Sequence, residues 1–199
     1  MQERFTWTGF YIGGHAGYAW STVKGHGTVA SGSADLDGWL AGGQIGFNWQ
    51  AGDWVFGLQG DYSYADIRET LTGAAVLGAG SSVTVKQDYV ATATGRIGYA
   101  FDRVLVYGKG GVAFTRDKWN AANATGGTGT GNFSRTGWVA GAGIEWAFAG
   151  NWSVFAEYNY LSFGNKNETL VAAGTFPVVP AASVSSTINL VKTGINYRF

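Results

Sequence analysis

Apolar and polar positions alternate with a period of two over eight segments of the chain. Residues 10–20 place Phe10, Ile12, Gly14, Ala16, Tyr18 and Trp20 on one face and Tyr11, His15 and Ala19 on the other. Residues 39–49 set Trp39, Ala41, Ile45, Phe47 and Trp49 against Leu40, Gln44 and Asn48, and residues 54–64 set Trp54, Phe56, Leu58, Tyr62 and Tyr64 against Gln59, Asp61 and Ser63. The same contrast recurs over residues 89–101, 104–114, 138–148, 152–160 and 188–199. Successive side chains of a strand point to opposite sides, so each segment predicts a two-faced β-strand. The mid-strand charges Asp61, Arg96, Lys109, Glu145, Glu157 and Lys192 all fall on the face opposite the bulky residues.

Connections between these segments alternate in length. Tight turns are predicted at Gln50-Ala51-Gly52-Asp53, Asp102-Arg103 and Ala149-Gly150-Asn151. Long stretches cover residues 21–38, 65–88, 115–137 and 161–187, and hold the Gly/Thr-rich run at 126–131 and both prolines, Pro177 and Pro180. Long loops at one end and short turns at the other are the plan of a transmembrane barrel. Segments of about 11–13 residues at ~3.3 Å each, tilted by ~35–45°, are long enough for a ~25 Å apolar band. Unpaired strand edges are too costly in lipid, so eight strands must close on themselves. Aromatics gather at the segment ends, with Trp49, Trp54, Trp146 and Trp152 beside the short turns and Trp39 and Trp138 toward the long stretches. Gly, Ala, Val and Ile fill the middle, which reads as an apolar belt between two aromatic girdles.

The predicted fold is therefore all-β: an eight-stranded antiparallel up-and-down transmembrane barrel with four long extracellular loops and three short periplasmic turns. One domain over residues 1–199 is expected. Composition agrees with lipid exposure: only 13% of residues are charged, against ~25% in soluble domains, and 33 of 199 are Gly. Thirteen basic residues balance thirteen acidic ones, which leaves no electrostatic footprint for nucleic acid. Zero Cys excludes a disulfide scaffold and thiolate metal sites. No apolar run reaches 18 residues, so no transmembrane helix is predicted, and the first residues lack the apolar core of a signal peptide.

Three stretches carry a family likeness. Phe5-Thr6-Trp7-Thr8-Gly9-Phe10-Tyr11-Ile12-Gly13-Gly14, Gly42-Gly43-Gln44-Ile45-Gly46-Phe47-Asn48-Trp49 and Lys192-Thr193-Gly194-Ile195-Asn196-Tyr197-Arg198-Phe199 resemble the small outer-membrane β-barrel proteins of alphaproteobacteria. These opacity-type or porin-family proteins are similar in architecture to the OmpA membrane domain. The resemblance covers residues 5–199 and implies a place in the bacterial outer membrane, among phospholipid and lipopolysaccharide. It also implies that Ile195, Tyr197 and Phe199 form the signal read by the barrel-assembly machinery. In some members it implies surface antigens, with host surface molecules or haem as partners.

Candidate chemistry lies inside the predicted barrel. The three carboxylates Asp61, Glu145 and Glu157 match the three cations Arg96, Lys109 and Lys192, and a buried charge needs such a partner. An eight-stranded barrel is just wide enough to be filled by side chains. The six are therefore expected to form an ion-pair network plugging the lumen. The main role expected is structural, in support of envelope integrity. The alternatives are a surface adhesin or binding module acting through the loops, and a narrow porin-like channel. No enzyme is expected: the two histidines, His15 and His26, stand apart, and neither H-E-x-x-H nor G-x-S-x-G occurs. No metal or other cofactor is called for, and His15 is expected to be a satisfied interior imidazole. Gly108-Lys109-Gly110-Gly111 lacks the phosphate-loop frame and lies within a strand segment.

Overall fold

The computed structural model describes residues 5–26, 33–72, 82–122, 128–166 and 183–199. Pro177, Pro180 and the Gly126-Gly127 pair lie outside the described residues. Eight strands follow one another: β1 (Gly9–His26), β2 (Ser33–Ala51), β3 (Trp54–Thr72), β4 (Ser82–Phe101), β5 (Val104–Ala122), β6 (Thr128–Ala149), β7 (Trp152–Lys166) and β8 (Ser183–Arg198). Each pairs antiparallel with its chain neighbours, and β8 returns to β1 to close the barrel. No helix occurs among the described residues.

Closure satisfies both edges of every strand, the condition set by a solvent that offers no hydrogen bonds. The outer face carries Ile12, Ile45, Leu58, Ile97, Val112, Ile144 and Val191, all exposed, and no charged residue at mid-strand. Trp39, Trp49, Trp54, Trp138, Trp146 and Trp152 also point outward. Many girdle rings meet a neighbour across a strand pair, as Trp54 meets Tyr99 at 5.5 Å and Trp152 meets Tyr197 at 5.0 Å. Such edge-to-face pairs fix ring orientation at the belt's rim.

The short turns reverse the chain in two residues each. Gly52, Asp102 and Gly150 adopt positive φ there, at 64°, 52° and 46°. Such values suit a hairpin turn that follows the right-handed twist of its strands.

The strands are longer than the alternation of bulky residues indicates. They run from 15 residues in β7 to 22 in β6. At ~3.3 Å per residue that is roughly 50–70 Å, well beyond a ~25 Å apolar band even when tilted. The surplus lies at the long-connection end. Residues 21–26, 33–38, 65–72, 82–88, 115–122, 128–137, 161–166 and 183–187, which the sequence pattern assigns to connections, are strand. In these stretches Ser, Thr, Gly and Asn are frequent at positions of both parities, so the apolar contrast that marks the belt is lost.

Candidate functional site

Parity decides which side chains enter the barrel. Each of the six mid-strand charges is an odd step from its bulky neighbours, so each points inward and is buried. Two groupings result. In the first, Lys109 Nζ lies 2.7 Å from Glu157 Oε1 and 3.6 Å from Asp61 Oδ2, while Lys192 Nζ lies 3.1 Å from Glu157 Oε1 and also pairs with Asp61. Two cations and two carboxylates thus alternate in a ring drawn from β3, β5, β7 and β8. In the second, Arg96 Nη1 of β4 lies 3.3 Å from Glu145 Oε2 of β6.

Neutral groups join the two. Gln59 Nε2 donates to both Asp61 oxygens, at 3.0 and 3.2 Å, and its Oε1 accepts from Tyr11 Oη at 2.7 Å and from Arg96 Nη1 at 3.4 Å. Tyr107 Oη donates to Glu157 at 2.9 Å, and Asn159 Nδ2 donates to Glu157 at 2.8 Å. Glu145 Oε1 accepts from Ser153 Oγ at 2.6 Å and from Asn196 Nδ2 at 2.9 Å. Arg96 Nε donates to Asn48 Oδ1 at 2.8 Å, and its guanidinium carbon sits 4.8 Å from the Tyr11 ring centre and 4.9 Å from that of Tyr107. Burying charge is costly unless every lone pair and proton finds a partner. Here each carboxylate receives several donors.

Sequence points to the six charges but not to the groups that connect them: Tyr11, Asn48, Gln59, Tyr107, Ser153, Asn159 and Asn196. Parity alone assigns all seven to the inward face, but their partnerships depend on register. Where His15 was expected to be satisfied, only one nitrogen is. Its Nε2 is 2.7 Å from Ser63 Oγ, while Nδ1 has no hydrogen-bond partner.

Apolar residues bracket this polar zone. On its long-connection side Ala19, Leu40, Val90, Ala113, Val139, Leu161, Phe163, Ile188 and Leu190 form one buried cluster. On its short-turn side Val55, Ala100, Leu105, Tyr107 and Ala147 form another, joined by Trp7. Neither layer was foreseen from the sequence. Trp7 comes from the stretch before β1, which carries no strand period.

The remaining predicted residues lie outside the lumen. Ile195 and Phe199 face outward, Tyr197 is half-buried, and Phe199 N donates to Phe10 O at 2.9 Å across the β1–β8 seam. Among the described residues no group of three His, Asp or Glu side chains could hold a metal ion.

The closed barrel agrees with what sequence comparison finds. The family model for the outer membrane protein β-barrel domain matches residues 2–199. The chain belongs to this outer-membrane β-barrel family. Relatives of this outer-membrane barrel include a 31 kDa outer-membrane immunogenic protein of Brucella melitensis, 32% identical over 99% of this chain and 85% of the relative. A 25 kDa outer-membrane immunogenic protein of Brucella abortus is 31% identical over 100% of this chain and 82% of the relative. A 22 kDa outer membrane protein of Rhizobium leguminosarum bv. viciae is 30% identical over 98% and 79%. Among solved structures, the barrel is similar to the outer membrane protease OmpT of Escherichia coli, with a TM-score of 0.63, 11% identity, and coverage of 100% of this chain and 99% of that one. It is also similar to Neisserial surface protein A, with a TM-score of 0.50, 14% identity, and coverage of 96% and 98%. At such identities these two likenesses show the fold alone. The outer-membrane barrel is thus an integral protein of the Gram-negative outer membrane, in contact with its lipids.

Proposed function

We propose that this outer-membrane barrel is a non-conducting structural element that supports envelope integrity, with its lumen plugged by its own side chains. The observation that carries the reading is the layered interior. A charge-balanced ionic network, Asp61, Arg96, Lys109, Glu145, Glu157 and Lys192, in which every charge has an opposite partner, lies between two apolar layers. Ions need a continuous wet path, and an apolar constriction closes one by dewetting. The barrel has two such layers in series.

In this reading the short turns face the periplasm and the long connections face outward. The girdle tryptophans seat the barrel in phospholipid and lipopolysaccharide. Ile195, Tyr197 and Phe199 serve as the recognition end for the barrel-assembly machinery, and no step of catalysis is assigned.

Planar-bilayer recording of the purified protein tests the plug: no steady open-state current is expected, and a large persistent one overturns it. Deletion of the gene tests the role: leakage of a periplasmic reporter is expected.

A second reading has its own support. The Brucella relatives are named immunogenic, and the strands continue well past the apolar belt at the long-connection end. Both features suit a surface-binding module for host molecules. Shortening the long connections separates the two readings. Lost adhesion with an intact envelope favours binding, and the reverse favours structure.

A further inference from the structure

The short-turn mouth of the barrel is closed by a segment that belongs to no strand. Residues 5–8 precede β1, yet the indole of Trp7 is 1% exposed and packs among Val55, Ala100, Leu105 and Ala147. These neighbours sit on β3 to β6, the half of the barrel away from β1, so the segment crosses the mouth. Three hydrogen bonds hold it there. Trp7 Nε1 donates to the carbonyl of Asp102 in the β4–β5 turn at 3.0 Å, and Trp7 N donates to Gln50 Oε1 at 2.7 Å. Gln50 N in turn donates to Thr8 Oγ1 at 3.0 Å.

The entry into β1 is built for the inward bend. Gly9 has φ +144°, which side chains rarely allow, and a Cβ there would lie 2.8 Å from the carbonyl oxygen of Phe199. The last strand then covers the segment from outside. The Arg198 guanidinium carbon lies 4.3 Å from the Phe5 ring centre and 5.3 Å from that of Trp7. That cover exists only when β8 has reached β1.

We propose that residues 5–8 form a cork that seals the short-turn mouth of the closed barrel, with Trp7 as its wedge. The opposite apolar layer is made of strand side chains and cannot leave without breaking the barrel. The cork, tied by three hydrogen bonds and ring contacts, is the removable seal. Its release opens a water-filled half-channel ending at the ionic network, without a conducting path. The proposal rests on the plugged-lumen reading and adds to it which part of the plug can move.

The chain has no cysteine, so single cysteines report cleanly. Ala147→Cys places a thiol in the layer Trp7 seals, and Ala113→Cys places one in the far layer. Each is folded into phospholipid vesicles and treated with iodoacetamide, alone and combined with Trp7→Ala. The expected result is slow labelling at both sites in the unaltered background, and labelling at Ala147→Cys about tenfold faster or more once Trp7 is removed, as a locally opened site reports. Ala113→Cys stays slow throughout. Equal rates at Ala147→Cys with and without Trp7 overturn the cork and leave the plugged lumen standing. Fast labelling of both cysteines before any change at Trp7 overturns the plugged lumen and the cork together. Acceleration at both sites on removing Trp7 makes it a general stability residue and also overturns the cork. Heat-modifiability on a gel establishes folding first. Where Trp7→Ala does not give the compact species, Trp7→Leu takes its place, with faster labelling at Ala147→Cys alone again required.

Discussion

The guanidinium of Arg96 and the carboxylate of Glu145 meet at 3.3 Å inside the barrel, from strands β4 and β6, with both side chains almost wholly buried. Neither residue is near the other in sequence, and β5 lies between their strands. The bond therefore spans the lumen wall rather than a strand pair. Arg96→Met leaves Glu145 with only Ser153 and Asn196 as donors. Breaking a buried pair from one side costs about 3–5 kcal/mol, because an uncompensated charge stays behind. Arg96→Met combined with Glu145→Leu is expected to cost less than the sum of the two single changes, with a coupling of about 0.5–3 kcal/mol. Urea midpoints of vesicle-embedded protein, read by gel mobility, measure all four corners of the cycle. Strict additivity would show that the pair does not act as a unit.

Glu157 shares both lysines of the ring with Asp61. It faces Lys109, Lys192, Tyr107 and Asn159. Glu157→Gln keeps the shape and removes the charge, leaving two lysines to share Asp61. A loss of stability of about 3–5 kcal/mol is expected. Adding Lys109→Met restores one cation to one anion and is expected to recover part of that loss. Unfolding of Glu157→Gln at the unaltered urea midpoint would contradict the balanced ring.

A different constraint appears where Tyr107 crosses the lumen. Its phenol passes over Gly143 of β6, and a Cβ there would lie 2.8 Å from the Tyr107 ring carbon and hydroxyl and 2.9 Å from the Ala156 carbonyl oxygen. The ring is buried and held by Glu157 and Arg96, and the carbonyl is part of the β6–β7 ladder, so neither yields readily. Gly143→Ala is expected to cost about 1–3 kcal/mol through overpacking. Tyr107→Leu in the same chain is expected to make the Gly143 substitution cheaper, which a double-mutant cycle reads directly. An unchanged cost of Gly143→Ala in the Tyr107→Leu background would place the clash elsewhere.

These contacts show which parts of the molecule are legible in its residues. The two faces are, because lipid tolerates no mid-strand charge and so sorts Asp61, Arg96 and Lys109 from Ile45, Leu58 and Ile97 by parity. Closure is, because eight such strands have no other way to satisfy their edges in lipid. The strand ends beyond the apolar belt are not, because Ser, Thr, Gly and Asn at both parities there blur the period of two. Partnerships such as Gln59 with Tyr11 and Asp61 are not, because they depend on register across several strands. Trp7 escapes a reading based on period, since it sits on irregular backbone and owes its burial to neighbours 48 to 140 positions away, from Val55 to Ala147.

The assignment of lipid to the uncharged side carries the sharpest prediction. Ala93 faces outward near the middle of β4, paired across the sheet with Gly60 and Val112. Ala93→Arg puts a guanidinium against acyl chains with no partner in range, and a cost of about 2–4 kcal/mol is expected near the bilayer midplane. Overpacking alone would not explain it, because the outer surface at Ala93 is open and an equally bulky Ala93→Leu has room and suits the solvent. Leu should therefore be tolerated where Arg is not. Site-specific labels extend the test to neighbouring positions. Single cysteines at Ile45 and Ile97 are expected to react with a lipid-soluble thiol probe, while cysteines at Gln44 and Arg96, one step along the same strands, are not. Because a one-residue shift moves a side chain to the opposite face, the contrast between adjacent positions is close to all-or-none. Equal labelling of Ile97→Cys and Arg96→Cys would mean that the wall of β4 does not separate lipid from lumen.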